Sequence, residues 1–180
     1  MLEKFNISYH GTISDYADKI VANIDITAGR TFTDFGQGFY VTNNMNQAEK
    51  WALKKFHDYK EMNQMLFPTI IVLELDFEKL SRLNGQEFEN PSTLWANFVY
   101  NCRRIGKRGG LYHQDDYVCG PLADGKIVPL LKRLESQRIS FEQFHQGIMP
   151  YTEISNQLSL NTLQAIKCIK YMEVKRIDIK

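Results

Sequence analysis

A chain of 180 residues, 43% hydrophobic and 12% aromatic, has apolar surface enough for one globular core, and a single domain over residues 1–180 is expected. Its 22 basic and 21 acidic residues leave a formal charge of +1, which argues against strong nonspecific attraction to nucleic acid or to an anionic membrane. No apolar run approaches the roughly 18 residues of a membrane span, and Met1 to Asn6 pass into strand-like sequence without a secretory leader, so a cytoplasmic chain is expected.

Phe5, Ile7 and Tyr9 alternate with Asn6, Ser8 and His10, which predicts a half-buried strand delivering His10 to its end. Ser14 then caps a helix with apolar positions at Ala17, Ile20, Val21 and Ile24. A polar loop from Thr27 to Thr33 leads into Asp34-Phe35-Gly36-Gln37-Gly38 and a strand from Gly38 to Thr42. Ala48, Trp51, Ala52 and Phe56 have helical spacing, capped by Asn44 or Asn46, and read as core. Pro68 opens a strand from Thr69 to Phe77 rich in β-branched residues. Ser92 caps a helix presenting Leu94, Trp95, Phe98, Val99 and Cys102. The basic cluster Arg103, Arg104, Lys107 and Arg108 reads as a solvated helix end, closed by Gly109-Gly110.

Tyr117 to Gly120 forms a short strand, followed by the turn signal Asp124-Gly125. Helices follow at Val128 to Gln137 and Ser140 to Gln146, the second with a capping box of Ser140 and Gln143. Gln157 to Leu160 is a strand, Asn161 caps a helix through Ile169, and Tyr171 to Ile179 closes as a strand. Short strands between helices, without a regular βαβ rhythm, predict the α+β class. Cys102, Cys119 and Cys168 lack any CxxC pairing and read as reduced, buried thiols. Neither they nor His57, His113 and His145 make a metal cluster, so no metal site is expected.

Two short stretches carry the chemistry. In Gly36-Gln37-Gly38-Phe39-Tyr40, two glycines around one residue give a tight turn beside an aromatic suited to a planar ring. In His10-Gly11-Thr12, a ring donor, a bare backbone and a hydroxyl follow in succession. Together they suggest a site for a nucleotide bearing a flat heterocycle. Arg30, just before the turn, is a candidate phosphate contact.

The order His10-Gly11-Thr12, then Phe35-Gly36-Gln37-Gly38-Phe39-Tyr40-Val41-Thr42, then Asn156-Gln157 resembles the ADP-ribosyltransferase superfamily, on its poly(ADP-ribose) polymerase and diphtheria-toxin side. More narrowly, the chain resembles an uncharacterised bacterial family of that superfamily, often encoded beside antitoxin-like proteins. That likeness takes in Ala48, Trp51-Ala52, Trp95, Phe98, Tyr117 to Asp124 and Asn156-Gln157.

The resemblance implies a split pair of small β-sheets, surrounded by helices, with NAD held in the cleft between them. It implies that His10 bonds the adenosine-side ribose, that the Gly11 backbone holds the nicotinamide carboxamide, and that Thr12 supports that turn. Tyr40 would pack on the nicotinamide ring, with Gly36 and Gly38 keeping the approach clear. Gln157 falls where the best-known enzymes of the superfamily carry a glutamate on the ribose 2′-hydroxyl. An amide oxygen can orient that hydroxyl but cannot take a proton, which favours transfer of a single ADP-ribose unit. Glu153 is the first candidate base, with Asp116 or Asp124 next, and Tyr151 joins Glu153 as a candidate acceptor contact.

The implied activity is mono-ADP-ribosyl transfer from NAD, without a metal, to a protein or nucleic-acid acceptor, as the toxin of a toxin–antitoxin or phage-defence pair with an antitoxin partner. An NAD glycohydrolase, or a module that binds NAD or ADP-ribose without turnover, are the alternatives.

Overall fold

A computed structural model describes residues 1–61, 65–150 and 155–179. The fold is α+β: among the described residues seven strands form one mixed sheet, flanked by helices. The strands are β1 (Ile7–Ile13), β2 (Phe39–Thr42), β3 (Pro68–Leu75), β4 (Gly85–Glu87), β5 (Tyr117–Pro121), β6 (Asn156–Leu160) and β7 (Ile169–Arg176), in the spatial order β4-β5-β6-β2-β1-β3-β7. Every neighbouring pair is antiparallel except β4 with β5. The helices are α1 (Ser14–Ala22), α2 (Met45–Tyr59), α3 (Phe77–Leu80), α4 (Thr93–Gly106), α5 (Ile127–Glu135), α6 (Phe141–Ile148) and α7 (Leu163–Ile166). Among the described residues no helix is long and apolar enough to cross a membrane.

The sheet has two wings joined at its narrowest point. Seven residues of β1 pair with β3, from Ile7 opposite Glu74 to Ile13 opposite Pro68. β2 is equally well matched to β6, with Tyr40 opposite Ser159 and Thr42 opposite Gln157. Between β1 and β2 the register holds a single pair, Tyr9 opposite Thr42. Beyond it no further pair is registered among the described residues, so the ladder between the wings opens beside Gly11 and Thr12, a fork in the sheet.

Alternation along the strands feeds two cores. Phe39, Val41, Leu158 and Leu160 face one side, where Phe5, Ala17, Ile71 and Leu73 complete a cluster. On the other side, Val118 meets Phe35, Trp95, Val99, Phe144 and Ile148, carried by the turn before β2 and by α4 and α6. Tyr40 packs against this second cluster. Trp95 also donates its indole N–H to the Pro121 carbonyl at 3.0 Å, fixing the end of β5.

Several elements differ from the sequence expectation. Phe5 lies in a single 3₁₀ turn, Leu2–Phe5, and β1 begins later and continues through Gly-Thr, so His10 is mid-strand rather than at a strand end. Full pairing with β3 carries the strand across the glycine. Ser14 is not a cap: it is the first residue of α1, and its hydroxyl accepts from Phe67 N–H at 3.3 Å. Asn44, Ser92 and the Ser140–Gln143 box do cap their helices. β3 stops before Phe77 because Asp76 caps α3, accepting from Lys79 N–H at 3.0 Å. Thr162, not Asn161, caps α7. Trp51 is 48% exposed, under the Lys54 ammonium 5.0 Å from its ring centroid, instead of in the core.

Gly11 is explained by packing. A Cβ there would lie 1.9 Å from the Ala48 carbonyl oxygen and 2.9 Å from Ala52 N, so α2 can rest on β1 only over a bare backbone. Gly11→Ala should therefore destabilise the fold by about 3 kcal/mol in chemical denaturation, as overpacked cores do. A change below about 1 kcal/mol would mean that α2 does not lie this close.

Candidate functional site

The turn from Thr33 to Gly38 is held from four directions. Gly36 has φ +74°, a conformation glycine adopts without strain. The Tyr40 hydroxyl donates to the Gly36 carbonyl at 2.7 Å and accepts from Phe35 N–H at 3.0 Å, with the Thr33 hydroxyl also in reach at 2.8 Å. The Asn161 amide donates to the carbonyls of Gln37 at 2.7 Å and Phe35 at 3.2 Å. His113 Nε2 lies 2.9 Å from the Phe35 carbonyl. Gly38 is pressed onto β6, where a Cβ would meet Ser159 Oγ at 2.4 Å. Burial pushes the Tyr40 phenol well above its usual pKa, so it stays protonated.

At the head of this turn Asp34 is 4% exposed. Its Oδ1 accepts from Arg103 Nε at 2.8 Å and from a terminal guanidinium nitrogen at 2.6 Å. Its Oδ2 accepts from Gln157 Nε2 at 3.0 Å. Arg103 is thus not part of a solvated helix end: it turns inward from α4, with a further bond to the Phe32 carbonyl at 3.3 Å. Gln157 is itself buried, on β6 opposite Thr42. A carboxylate only accepts, so the amide nitrogen must face Asp34 and the amide oxygen must face away. Among the described residues that oxygen has no hydrogen-bond partner.

His10 sits at the fork. Its Nδ1 is 2.7 Å from the Tyr40 carbonyl, and its ring stacks on Phe39 with centroids 4.7 Å apart. The carbonyl needs a donor, so Nδ1 carries the proton and Nε2 is a bare acceptor. That Nε2 is buried without a partner among the described residues. Burial lowers the His10 pKa to about 4, against the Tyr40 carbonyl and with help from the Lys55 charge, so the ring is neutral at physiological pH. The His10 and Tyr40 side chains leave opposite faces of the sheet; what joins them is the Tyr40 carbonyl.

Thr12 is fully buried one residue beyond Gly11, with the Lys55 ammonium 3.4 Å from its hydroxyl and 5.2 Å from the Tyr16 ring centroid. Burial, and then the Arg30 charge, lower the Lys55 pKa. Among the described residues no carboxylate forms an ion pair with Lys55 or Arg30.

Glu153 and Tyr151 lie outside the described residues. Asp116 is committed elsewhere, accepting from Asn84 N–H at 3.1 Å and from the Thr162 hydroxyl, beyond the far end of β6 from Gln157. Asp124 is exposed and folds onto its own turn, accepting from Gly125 N–H at 2.7 Å. Among the described residues no group of three or more His, Cys, Asp or Glu side chains gathers to hold a metal ion. All three cysteines are free and buried, and burial raises each thiol, Cys119 to about 12, which leaves no activated nucleophile among them.

Residues 7–171 match the model of a family described as Protein of unknown function (DUF3990). The chain belongs to that family. No curated protein and no solved structure matches it.

In this DUF3990 chain Gln157 and the glycine turn stand out in the sequence, but what holds them together does not. Asp34 opens the motif already singled out, yet nothing in the local sequence reveals a partner 69 residues away in Arg103 or 123 away in Gln157. Lys55 escapes because a lysine on an amphipathic helix is ordinarily solvated. Its position one turn past Ala52, which packs on Gly11, is the signal that could have found it.

The neutral His10 makes a pH prediction. Its folded pKa, about 4, lies below the unfolded value near 6.5. The unfolded chain therefore takes up a proton first, and stability present above pH 6.5 is lost as pH falls. Between pH 7 and pH 5 the loss should be about 2 kcal/mol. Denaturation midpoints of His10→Gln should lack that slope; an unchanged slope would show that His10 does not cause it.

Proposed function

We propose that the chain is a mono-ADP-ribosyltransferase that uses NAD as its substrate. The observation that carries this reading is His10: a buried histidine held neutral, in one tautomer, with Nε2 bare and unpartnered at the fork of the sheet. A buried acceptor left empty is unfavourable by about 1–3 kcal/mol, and a ligand hydroxyl supplies the missing donor. The superfamily resemblance assigns His10 such a partner, a hydroxyl of the adenosine-side ribose. The fork between β1 and β2 supports the same reading, since two wings that part beside Gly11 are a starting point for a split-sheet cleft.

Other groups fit an anionic dinucleotide. The Arg30 charge disfavours that of Lys55, neither has a carboxylate ion-pair partner among the described residues, and a diphosphate would offer both an anion. Gln157 offers an amide oxygen for a ribose hydroxyl. In the reaction the glycosidic C–N bond breaks, nicotinamide leaves with the electron pair, and the acceptor's nucleophile bonds to the same ribose carbon while losing its proton. The carboxylate beside Gln157, Asp34, is already engaged on one oxygen by Arg103 and on the other by the Gln157 amide. The resemblance points to Glu153; an acceptor that reacts without a base also fits.

The acceptor is a protein or nucleic-acid group, and the resemblance further casts the chain as a toxin restrained by an antitoxin-like partner. Incubating the chain with NAD labelled in its adenosine half and a cell lysate should move label to macromolecules, and His10→Gln should reduce transfer at least a hundredfold. Accumulation of free ADP-ribose alone would make the chain an NAD glycohydrolase. Binding without nicotinamide release would make it a dinucleotide-binding module. If calorimetry detects no dinucleotide binding at all, the reading fails.

A further inference from the structure

We infer that Asp34, itself fixed by Arg103, is a positioning residue that locks the Gln157 amide with its oxygen outward, so that glutamine is the residue this site is built around. The inference rests on the NAD reading only for the identity of the hydroxyl that this oxygen receives.

A glutamine side chain can present either its nitrogen or its oxygen, and a free one would exchange the two by rotating. Here the choice is made by Asp34 Oδ2, 3.0 Å from Nε2, because a carboxylate offers nothing to an amide oxygen. Asp34 cannot turn away: Oδ1 is gripped by two Arg103 nitrogens at 2.8 and 2.6 Å, and the residue is 4% exposed. Arg103 is held in turn by the Phe32 carbonyl and lies over the Phe32 ring, 5.2 Å from its centroid. The chain of constraint runs from α4 through the turn to β6. It ends in one acceptor atom of defined direction.

The same geometry says what cannot stand at this position. A glutamate would bring a second carboxyl against Asp34, with a single guanidinium to balance both. Two carboxyls at hydrogen-bond distance share a proton rather than both ionise. The position is thus occupied by the neutral isostere of glutamate because the neighbouring charge is already in place. Glutamine here is matched to Asp34, not a worn-down glutamate.

The test uses the full chain with Gln157→Glu and with the exchange pair Asp34→Asn/Gln157→Glu. In Gln157→Glu the introduced carboxyl should hold its proton when folded and release it near pH 4.3 when unfolded. Its denaturation midpoint should therefore fall, relative to the unsubstituted chain, as pH rises from 5 to 8. The exchange pair puts the amide on the turn and the carboxylate on β6, restoring one donor to one acceptor, and should remove that slope. Nicotinamide release by Gln157→Glu at pH 8 should drop at least tenfold in kcat with NAD affinity within threefold. A Gln157→Glu chain with a flat midpoint–pH profile and faster turnover would overturn the inference. If the unsubstituted chain releases no nicotinamide, the proposed activity is what fails, and the midpoint slopes still decide the pairing of Asp34 with Gln157.

Discussion

The arrangement around the turn depends on one largely buried ion pair, the half-buried Arg103 with the buried Asp34. Removing a carboxylate and a guanidinium from water costs several kcal/mol each, and Coulomb attraction offsets this only when geometry and extra hydrogen bonds are good. Both conditions hold: the guanidinium engages one carboxylate oxygen through two nitrogens, and Gln157 satisfies the other. The pair ties α4 to the turn before β2, and the turn hands its position on through the Tyr40 hydroxyl and the Asn161 amide. Without the carboxylate, Arg103 would lose its ion-pair partner and Gln157 the acceptor for its amide nitrogen.

The fork in the sheet is the second constraint, and it follows from packing rather than from charge. β1 is drawn toward β3 along its whole length, while β2 is drawn toward β6. One pair joins the wings, so much of the ladder that would normally hold β1 to β2 is absent. His10 compensates locally: its Nδ1–H takes the Tyr40 carbonyl and its ring covers Phe39. A side chain replaces a backbone contact, and the price is a buried Nε2 without a partner. The feature that relieves the fork is the same one that makes it a candidate binding point.

Much of the fold was legible because local rules agreed with it. Helices α2, α4 and α6 begin where Asn44, Ser92 and Ser140 announce them, and β3 and β6 fall where β-branched or alternating residues predict them. Legibility failed where a long-range partner overrode the local signal. Ser14 serves Phe67 instead of its helix, and Asn161 serves the turn instead of α7. β4 has only Gly85, Gln86 and Glu87, with no alternation to read; its pairing with β5 defines it. The site divides along the same line. His10 and Tyr40 could be named as candidates from short motifs, and Gln157 from the family resemblance, but the opposite facing of His10 and Tyr40 is a matter of register. The inward turn of Arg103, from a cluster that reads as solvated, depends on Asp34 being brought beneath it.

Under the proposed chemistry, the ion pair also limits how much electrostatic help the site can give. A positive charge developing on a ribose about 6 Å from a lone carboxylate would gain about 3 kcal/mol at an effective dielectric near 20. A guanidinium roughly 3 Å farther returns about 2 kcal/mol of that. What remains is worth less than a factor of ten in rate, because Asp34 and Arg103 together present a dipole rather than a charge. The amide between them and the substrate adds direction but no net charge. Rate acceleration at this site must then come chiefly from holding the dinucleotide and its acceptor in line. A nucleophile that arrives already reactive suits such a site better than a sugar hydroxyl that needs a strong base, so under the proposed chemistry single-unit transfer is expected over chain growth.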